Sequence, residues 1–255
     1  MLAVIITTLN EQKNIGRLIP AIHESLKTDY CIVVVDDNSQ DRTQGIVIGL
    51  SKRFPVKLLA RPKKMGIASA IMDGIKFQPA DAYITMEADW SHPPTMLPTL
   101  RRFLDRYDLV VGSRYADCGT GRTEGWPLKR KIISIGANIL SRPLTPIKDR
   151  TTGFMAIRAE CLKGVELNPV GMHFPLECFV KANYESYIEL PYTFVHRTEG
   201  DSSFNFKECW LYLKHLWRLY QFKRQHTLNE SVVKRLVTYY IVGMVVIILI
   251  LIFVN

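Results

Sequence analysis

The chain has only five cysteines (Cys31, Cys118, Cys161, Cys178 and Cys209), scattered, with no C-x-x-C pair and no zinc-type spacing. This excludes a disulfide scaffold or a zinc module and leaves reduced packing thiols, as expected in a cytosolic compartment. No strand-like run is followed by G-x-G-x-x-G, and G-x-x-x-x-G-K-[ST] does not occur. Ordinary dinucleotide and P-loop sites are thereby ruled out. The N-terminal run Leu2 to Thr8 is too short for a secretion signal and is followed at once by polar residues. Internal repeats and low-complexity tracts are missing. The net charge of +9 comes with no recognisable nucleic-acid module. Anionic lipid head groups suit that basic surface better than nucleic acid.

Charge itself is missing from Leu236 to Val254, a run of 19 residues. As a helix it is roughly 28 Å long, enough to cross a hydrocarbon core once. Lys214, Arg218, Lys223, Arg224, Lys234 and Arg235 precede it and no charged side chain follows. The positive-inside tendency then puts the body of the protein on the cytoplasmic face, with a C-terminal single-pass transmembrane helix. Just before it, Trp210, Leu213, Trp217 and Tyr220 recur at helical spacing within Cys209 to Phe222, among Lys and Arg. Such a helix either lies in the membrane interface or packs on the body, and periodicity does not separate the two.

The first 112 residues alternate apolar runs with helical patterns. Strands are predicted at Leu2–Ile6, Cys31–Val35, Val56–Leu59, Ala82–Met86 and Asp108–Gly112. Helices are predicted at Asn10–Leu26, Thr43–Leu50, Gly66–Phe77 and Leu97–Leu104. Repeated β-α units of this kind build a mostly parallel sheet flanked by helices. Farther on, Asp117 to Trp126 reads as a loop and Leu128–Leu140 as a helix. Gly153–Ile157 and Tyr187–Phe194 read as strands, the second broken by Pro191.

Acidic side chains fall where these strands end: Glu11, the pair Asp36-Asp37, and Glu87 with Asp89 in Y-I-T-M-E-A-D-W-S-H-P-P (Tyr83 to Pro94). Two carboxylates two residues apart on extended backbone point the same way. At the carboxyl end of a parallel strand they can hold a hard divalent cation and the phosphates it bridges; the plainer alternative is a solvated acidic turn. Together with acids that accept hydrogen bonds from a base and ribose, they point to a nucleotide-sugar donor. His92 is either a metal ligand or general base, or a structural histidine before Pro93-Pro94. Glu177 is either a substrate contact or a buried, ion-paired carboxylate.

The ordered motifs T-T-L-N-E (Thr7 to Glu11), V-V-V-D-D-N-S (Val33 to Ser39), M-E-A-D-W-S-H-P-P (Met86 to Pro94), V-G-S-R-Y (Val111 to Tyr115) and T-T-G-F (Thr151 to Phe154) resemble the family 2 glycosyltransferases. More narrowly the chain resembles the polyprenyl-phosphate (dolichyl-phosphate) mannose synthases of that family, over roughly residues 1 to 205. The resemblance implies a GT-A nucleotide-diphospho-sugar transferase domain over 1–205, and the residue pattern adds an amphipathic interfacial region over 206–235 and a transmembrane helix over 236–254. It implies mannosyl transfer from GDP-mannose to dolichyl (polyprenyl) phosphate with inversion, assisted by Mg²⁺ or Mn²⁺. Glucosyl transfer from UDP-glucose, or a non-catalytic nucleotide-sugar-binding membrane adaptor, are the alternatives.

Carried over by position, Thr7, Leu9, Glu11, Val35 and Asp37 line the nucleoside site, and Glu87, Ala88 and Asp89 lie at the diphosphate. Asp89 and Ser91 are placed near the metal. Arg114 is expected to reach the phosphates, and Arg130 and Ser134 to face the lipid phosphate. Arg197 and Ser202 match part of a late element that closes over the donor. Thr7 and Leu9 stand where the family usually has Pro and Tyr, Glu87 where it has Asp, and Ser203 where a Lys is expected.

Overall fold

A computed structural model describes residues 1–116, 122–125, 128–195, 206–226 and 238. Its centre is a seven-stranded sheet of order β3-β2-β1-β4-β7-β5-β8. The strands are β1 (Leu2–Thr8), β2 (Tyr30–Asp36), β3 (Val56–Ala60), β4 (Ala82–Glu87), β5 (Leu109–Ser113), β7 (Met155–Arg158) and β8 (Tyr187–Pro191). All run the same way except β7, which is antiparallel to both β4 and β5. The expected mostly parallel sheet is therefore present, with one reversed strand, β7, between β4 and β5.

The strands read as unbroken apolar runs because helices cover both faces. Val4, Ile6, Ile32 and Val34 belong to one buried cluster, which includes Ile15, Leu18, Ile19 and Ile22 of α1 (Gln12–Leu26). It also takes Val47 of α2 (Thr43–Leu50) and Leu97 and Leu100 of α4 (Leu97–Phe103). Ala3, Ile5, Val33 and Val35 turn the other way, toward Ala68, Ala70 and Ile71 of α3 (Ile67–Phe77) and Phe174, Cys178 and Phe179 of α6 (Phe174–Lys181). Helix α3 sits so close that a Cβ on Gly74 would lie 2.8 Å from Ile5 and 2.9 Å from Val35. Only glycine allows that approach.

Two elements depart from the sequence expectation, and one expected break is confirmed. The segment read as a loop contains β6 (Arg122–Glu124), which pairs in parallel with β9 (Thr193–Val195) in a separate two-stranded sheet. A three-residue strand carries too little periodicity to be seen in sequence. The break at Pro191 is real, and it ends β8 and frees the chain to change sheets. Helix α1 begins at Gln12 rather than Asn10, because Asn10 takes a left-handed backbone (φ 58°) that no α-helix contains.

Helix α5 (Leu128–Ser141) lies against α7 (Phe206–His226), which is longer than its expected core of Cys209 to Phe222. Leu213, Leu216, Leu219, Tyr212 and Tyr220 of α7 are buried with Leu140, Leu144 and Leu176. Each leucine buried there contributes about 1.5–3 kcal/mol. Tyr212 donates its hydroxyl to the Ala137 carbonyl at 2.7 Å, and Tyr220 donates to that of Leu140. Leu213 and Tyr220 thus pack on the body, while Trp210 and Trp217 stay 59% and 43% exposed. The four residues that periodicity groups on one stripe are divided between two environments. Among the described residues no helix is long and apolar enough to cross a membrane. The expected transmembrane run lies outside the described residues, Thr238 excepted.

Candidate active site

The carboxyl ends of β1, β2, β4 and β5 share one edge of the sheet, and β1 is central to it. Thr7 pairs in register with Val35 on one side and with Glu87 on the other. The row Val35–Thr7–Glu87 therefore places three of the expected donor-side residues side by side. Ligands of open α/β sheets bind beyond this edge.

On the β1–β2 side two loops are laced together. The backbone N–H of Asn10 donates to Ser39 Oγ at 2.8 Å, that of Gln40 to Asn10 Oδ1 at 2.8 Å, and that of Glu11 to Thr43 Oγ1 at 2.9 Å. Glu11 accepts the Asn14 side-chain amide at 2.7 Å. Leu9 is half-buried between them. Asp36 is fully buried and takes hydrogen bonds from the Thr8, Ser39 and Gln44 side chains and from the Ser39 N–H, which makes it a structural brace. Asp37 accepts the Met65 and Gly66 N–H groups at 2.9 and 2.8 Å and pairs with the buried Arg61 at 2.9 Å. Arg61 also donates to Ser69 and the Gly66 carbonyl. Asp37 thus holds the loop between β3 and α3 against the sheet edge, a task that sequence alone did not reveal.

After β4 the chain turns sharply. Ala88 and Asp89 are buried, and Trp90 adopts a left-handed backbone (φ 64°), a conformation rare for a bulky residue. Such strain costs about 1–3 kcal/mol and gathers at functional sites. Ser91 donates both its N–H (3.1 Å) and its hydroxyl (2.6 Å) to Asp89 Oδ1, so Ser91 orients Asp89. His92 is buried, stacked on Phe154 at 4.8 Å, and its Nδ1 accepts the Glu87 N–H at 3.0 Å. That bond puts the ring proton on Nε2. Burial lowers the His92 pKa to about 4, with nearby Asp89 opposing the shift, so the ring is neutral at neutral pH. His92 therefore braces the turn between strand and site. Gly153 passes so near that a Cβ there would sit 3.2 Å from a Glu87 carboxylate oxygen and 3.3 Å from the His92 ring.

The donor set suits a hard cation, which takes oxygen ligands. Glu87 and Asp89 offer carboxylates at one strand end. Among the described residues no three His, Cys, Asp or Glu side chains gather as a closed cage. Two carboxylates completed by substrate phosphates are the usual way such proteins hold Mg²⁺. The residues present fit that arrangement.

Beyond β5, Arg114 is buried and bound side-on to Asp149, with Nε at 2.8 Å and Nη2 at 2.6 Å, while its N–H donates to the same carboxylate at 2.8 Å. Burial alone would lower its pKa; the Asp149 carboxylate more than offsets this and raises it, so the charge is permanent. Nη2 also donates to Thr151 Oγ1 at 2.8 Å. Ser134 Oγ lies 3.4 Å from Thr151 Oγ1 and 3.0 Å from the Tyr115 hydroxyl, and Asn138 donates to Thr151 at 3.2 Å. The structure thereby brings Arg114 and Ser134 into one network. Both Arg114 and Arg130 lie 5.7 Å from the ring centroid of Phe194 on β9.

Sequence reasoning missed Asp149, Asn138 and Phe194. Asp149 stands two residues before T-T-G-F, where a motif-adjacent acid could have been noticed; Phe194 carries no signal beyond its strand. Glu177 is sealed away, 2% exposed, with Lys181 Nζ at 2.5 Å and the Asn168 N–H at 2.9 Å, so it is the buried, ion-paired carboxylate of the two readings. Arg197 and Ser202 lie outside the described residues.

Residues 3–165 match the model of the family described as "Glycosyl transferase family 2". A dolichol-phosphate mannosyltransferase of Pyrococcus furiosus is 39% identical over 95% of this chain and 68% of its own length. One from Saccharomyces cerevisiae is 31% identical over 87% of each. Among solved structures, S. aureus TarS in complex with UDP-GlcNAc aligns with a TM-score of 0.64 at 17% identity, over 94% of this chain and 72% of that one. Glucosyl-3-phosphoglycerate synthase from Mycobacterium tuberculosis, in complex with Mn²⁺, UDP-glucose and phosphoglyceric acid, aligns at 0.63 and 15% identity over 86% and 79%. These two likenesses support the fold, a GT-A arrangement of mostly parallel sheet and flanking helices. With the family model spanning most of the chain, this protein belongs to glycosyl transferase family 2 and is a glycosyltransferase.

Proposed function

We propose that the enzyme transfers a mannosyl group from GDP-mannose to dolichyl or another polyprenyl phosphate, with inversion. The observation that carries this reading is the kinship to dolichol-phosphate mannosyltransferases along nearly the whole chain. The site agrees with it. The edge at Thr7, Leu9, Glu11, Val35 and Asp37 takes the nucleoside, and Glu87, Ala88 and Asp89 lie at the diphosphate. Asp89, oriented by Ser91, and Glu87 would hold Mg²⁺ or Mn²⁺. The ion when bound supplies charge neutralisation for the departing diphosphate. Arg197 and Ser202 complete the donor side. Arg114 and Arg130, with Ser134, hold the lipid phosphate, which needs no proton removed because most of it is a dianion near pH 7, its second pKa being about 6.

Membrane attachment belongs to the same proposal. Residues 1–205 form the catalytic domain, 206–235 an interfacial region and 236–254 a single transmembrane helix, with the catalytic domain on the cytoplasmic face. Support comes from exposed apolar side chains on two helices that pack together: Ile132, Ile135 and Ile139 on α5, and Trp210 and Trp217 on α7. Tryptophans of this kind favour the level of lipid head groups.

The test offers GDP- and UDP-sugars with a short polyprenyl phosphate and extracts the lipid product. Mannosyl lipid formed from GDP-mannose, and abolished by a chelator, is the expected outcome. Preference for UDP-glucose would replace the sugar and base. Nucleotide-sugar binding with no lipid product in any combination would mean a non-catalytic adaptor.

A further inference from the structure

Arg114 and Arg130 come from distant parts of the chain, one at the end of β5 and one in the first turn of α5. Phe194 lies against both: it is 5% exposed, and each guanidinium carbon lies 5.7 Å from its ring centroid. The two cations are therefore no farther apart than twice that distance. An aromatic ring attracts a cation through its negative face, most strongly where water is excluded. The ring itself is well fixed. It stands edge-on to buried His92 at 6.2 Å and belongs to the main core, and its backbone pairs with Thr123 of β6.

The two arginines do different work. Asp149 holds Arg114 side-on, so its guanidinium is fixed in place. Arg130 is half-buried and approaches the same Phe194 ring from the first turn of α5. A phosphate dianion bound between two guanidiniums depends on their spacing, because each offers directed N–H donors. We infer that Phe194 is a positioning residue, whose ring sets Arg114 and Arg130 at the spacing that receives the acceptor phosphate. This rests on the reading that the acceptor is a lipid phosphate.

The experiment uses the full-length chain in liposomes, with GDP-mannose and a short polyprenyl phosphate. Phe194 is replaced by phenylalanines carrying one, two and three ring fluorines, which keep its shape and weaken the negative face stepwise. The acceptor KM is expected to rise stepwise, reaching about threefold to tenfold, while kcat and the donor KM stay near wild type. Phe194→Tyr should behave as wild type, and Phe194→Leu should match the trifluoro protein. In an Arg130→Ala background most of the fluorine effect should vanish. Thermal unfolding of each protein separates packing loss from this effect. An acceptor KM that stays flat across the series, in an enzyme whose wild type does mannosylate the lipid, overturns the role of Phe194 alone. A wild type that passes sugar to no lipid phosphate overturns the functional reading and this inference with it.

Discussion

Arg114 and Asp149 form a side-on, two-pronged ion pair in which both side chains are almost wholly buried, 35 residues apart in the chain. Asp149 is itself steered by Glu189 of β8, whose two oxygens accept the N–H groups of Lys148 and Asp149 at 2.9 and 3.0 Å. The pair thus ties β5, β8 and the T-T-G-F turn to a single point beside Ser134.

Removing one partner of such a pair leaves an uncompensated buried charge, which costs about 3–5 kcal/mol. Asp149→Ala is expected to lose that much unfolding free energy in urea, and Asp149→Asn less, since its amide oxygen can still accept. An Asp149→Ala midpoint equal to wild type would show that Arg114 finds another partner at no cost.

Asp89→Ala should lower turnover about 100- to 1,000-fold, the loss typical of one group aimed at developing charge, with the fold intact. Glu87→Asp should be mild, because the carboxylate is kept and only one methylene is lost. Transfer by Asp89→Ala at a near-normal, chelator-sensitive rate would place the metal elsewhere.

Stability should fall as the solution is acidified from about pH 6.5 toward 4. Burial lowers His92 from 6.5 to about 4 and His173 to about 3. In that window the unfolded chain binds protons that the native state refuses, so stability rises with pH and is lost as pH drops. For His92 alone the full effect is roughly 3 kcal/mol. The carboxylates Asp41 and Asp108 are lowered from 3.8 and act below this range. Urea unfolding at half-unit steps of pH checks it, and a flat profile between 6.5 and 4 would contradict the neutral, buried rings.

With the acceptor below saturation, the acid limb of the rate profile should follow ionisation of the acceptor phosphate rather than of a protein base. Glu177, which the sequence left open as a substrate contact, is buried and locked to Lys181. A phosphonate acceptor with a higher second pKa should move the limb upward by a similar amount. A limb that ignores acceptor pKa and disappears when one carboxylate is neutralised would falsify this mechanism.

The alternation of elements was legible because it rests on local patterns. Strands covered on both faces must be apolar throughout, as Ile32 to Val35 are, and polar groups can appear only where the strand leaves the sheet, as at Asp36, Glu87 and Asp89. The site edge follows from that rule, and so do the helices whose one face carries Ile15, Leu18, Ile19 and Ile22. Family kinship was legible for the same reason, since its motifs cluster at strand ends. Tertiary structure alone decided which partners meet. The insertion of β7 between β4 and β5 depends on hydrogen bonding between residues 44 to 76 positions apart. Which stripe of α7 is buried depends on α5, and Tyr212 and Tyr220 find their carbonyl partners there. Asp37 reads in sequence as a ligand group, and only the fold shows that its carboxylate also meets Arg61 and two N–H groups of another loop. A charge declares itself in sequence, but its counter-charge is chosen by the fold, because pairing depends on distance and burial rather than on order along the chain.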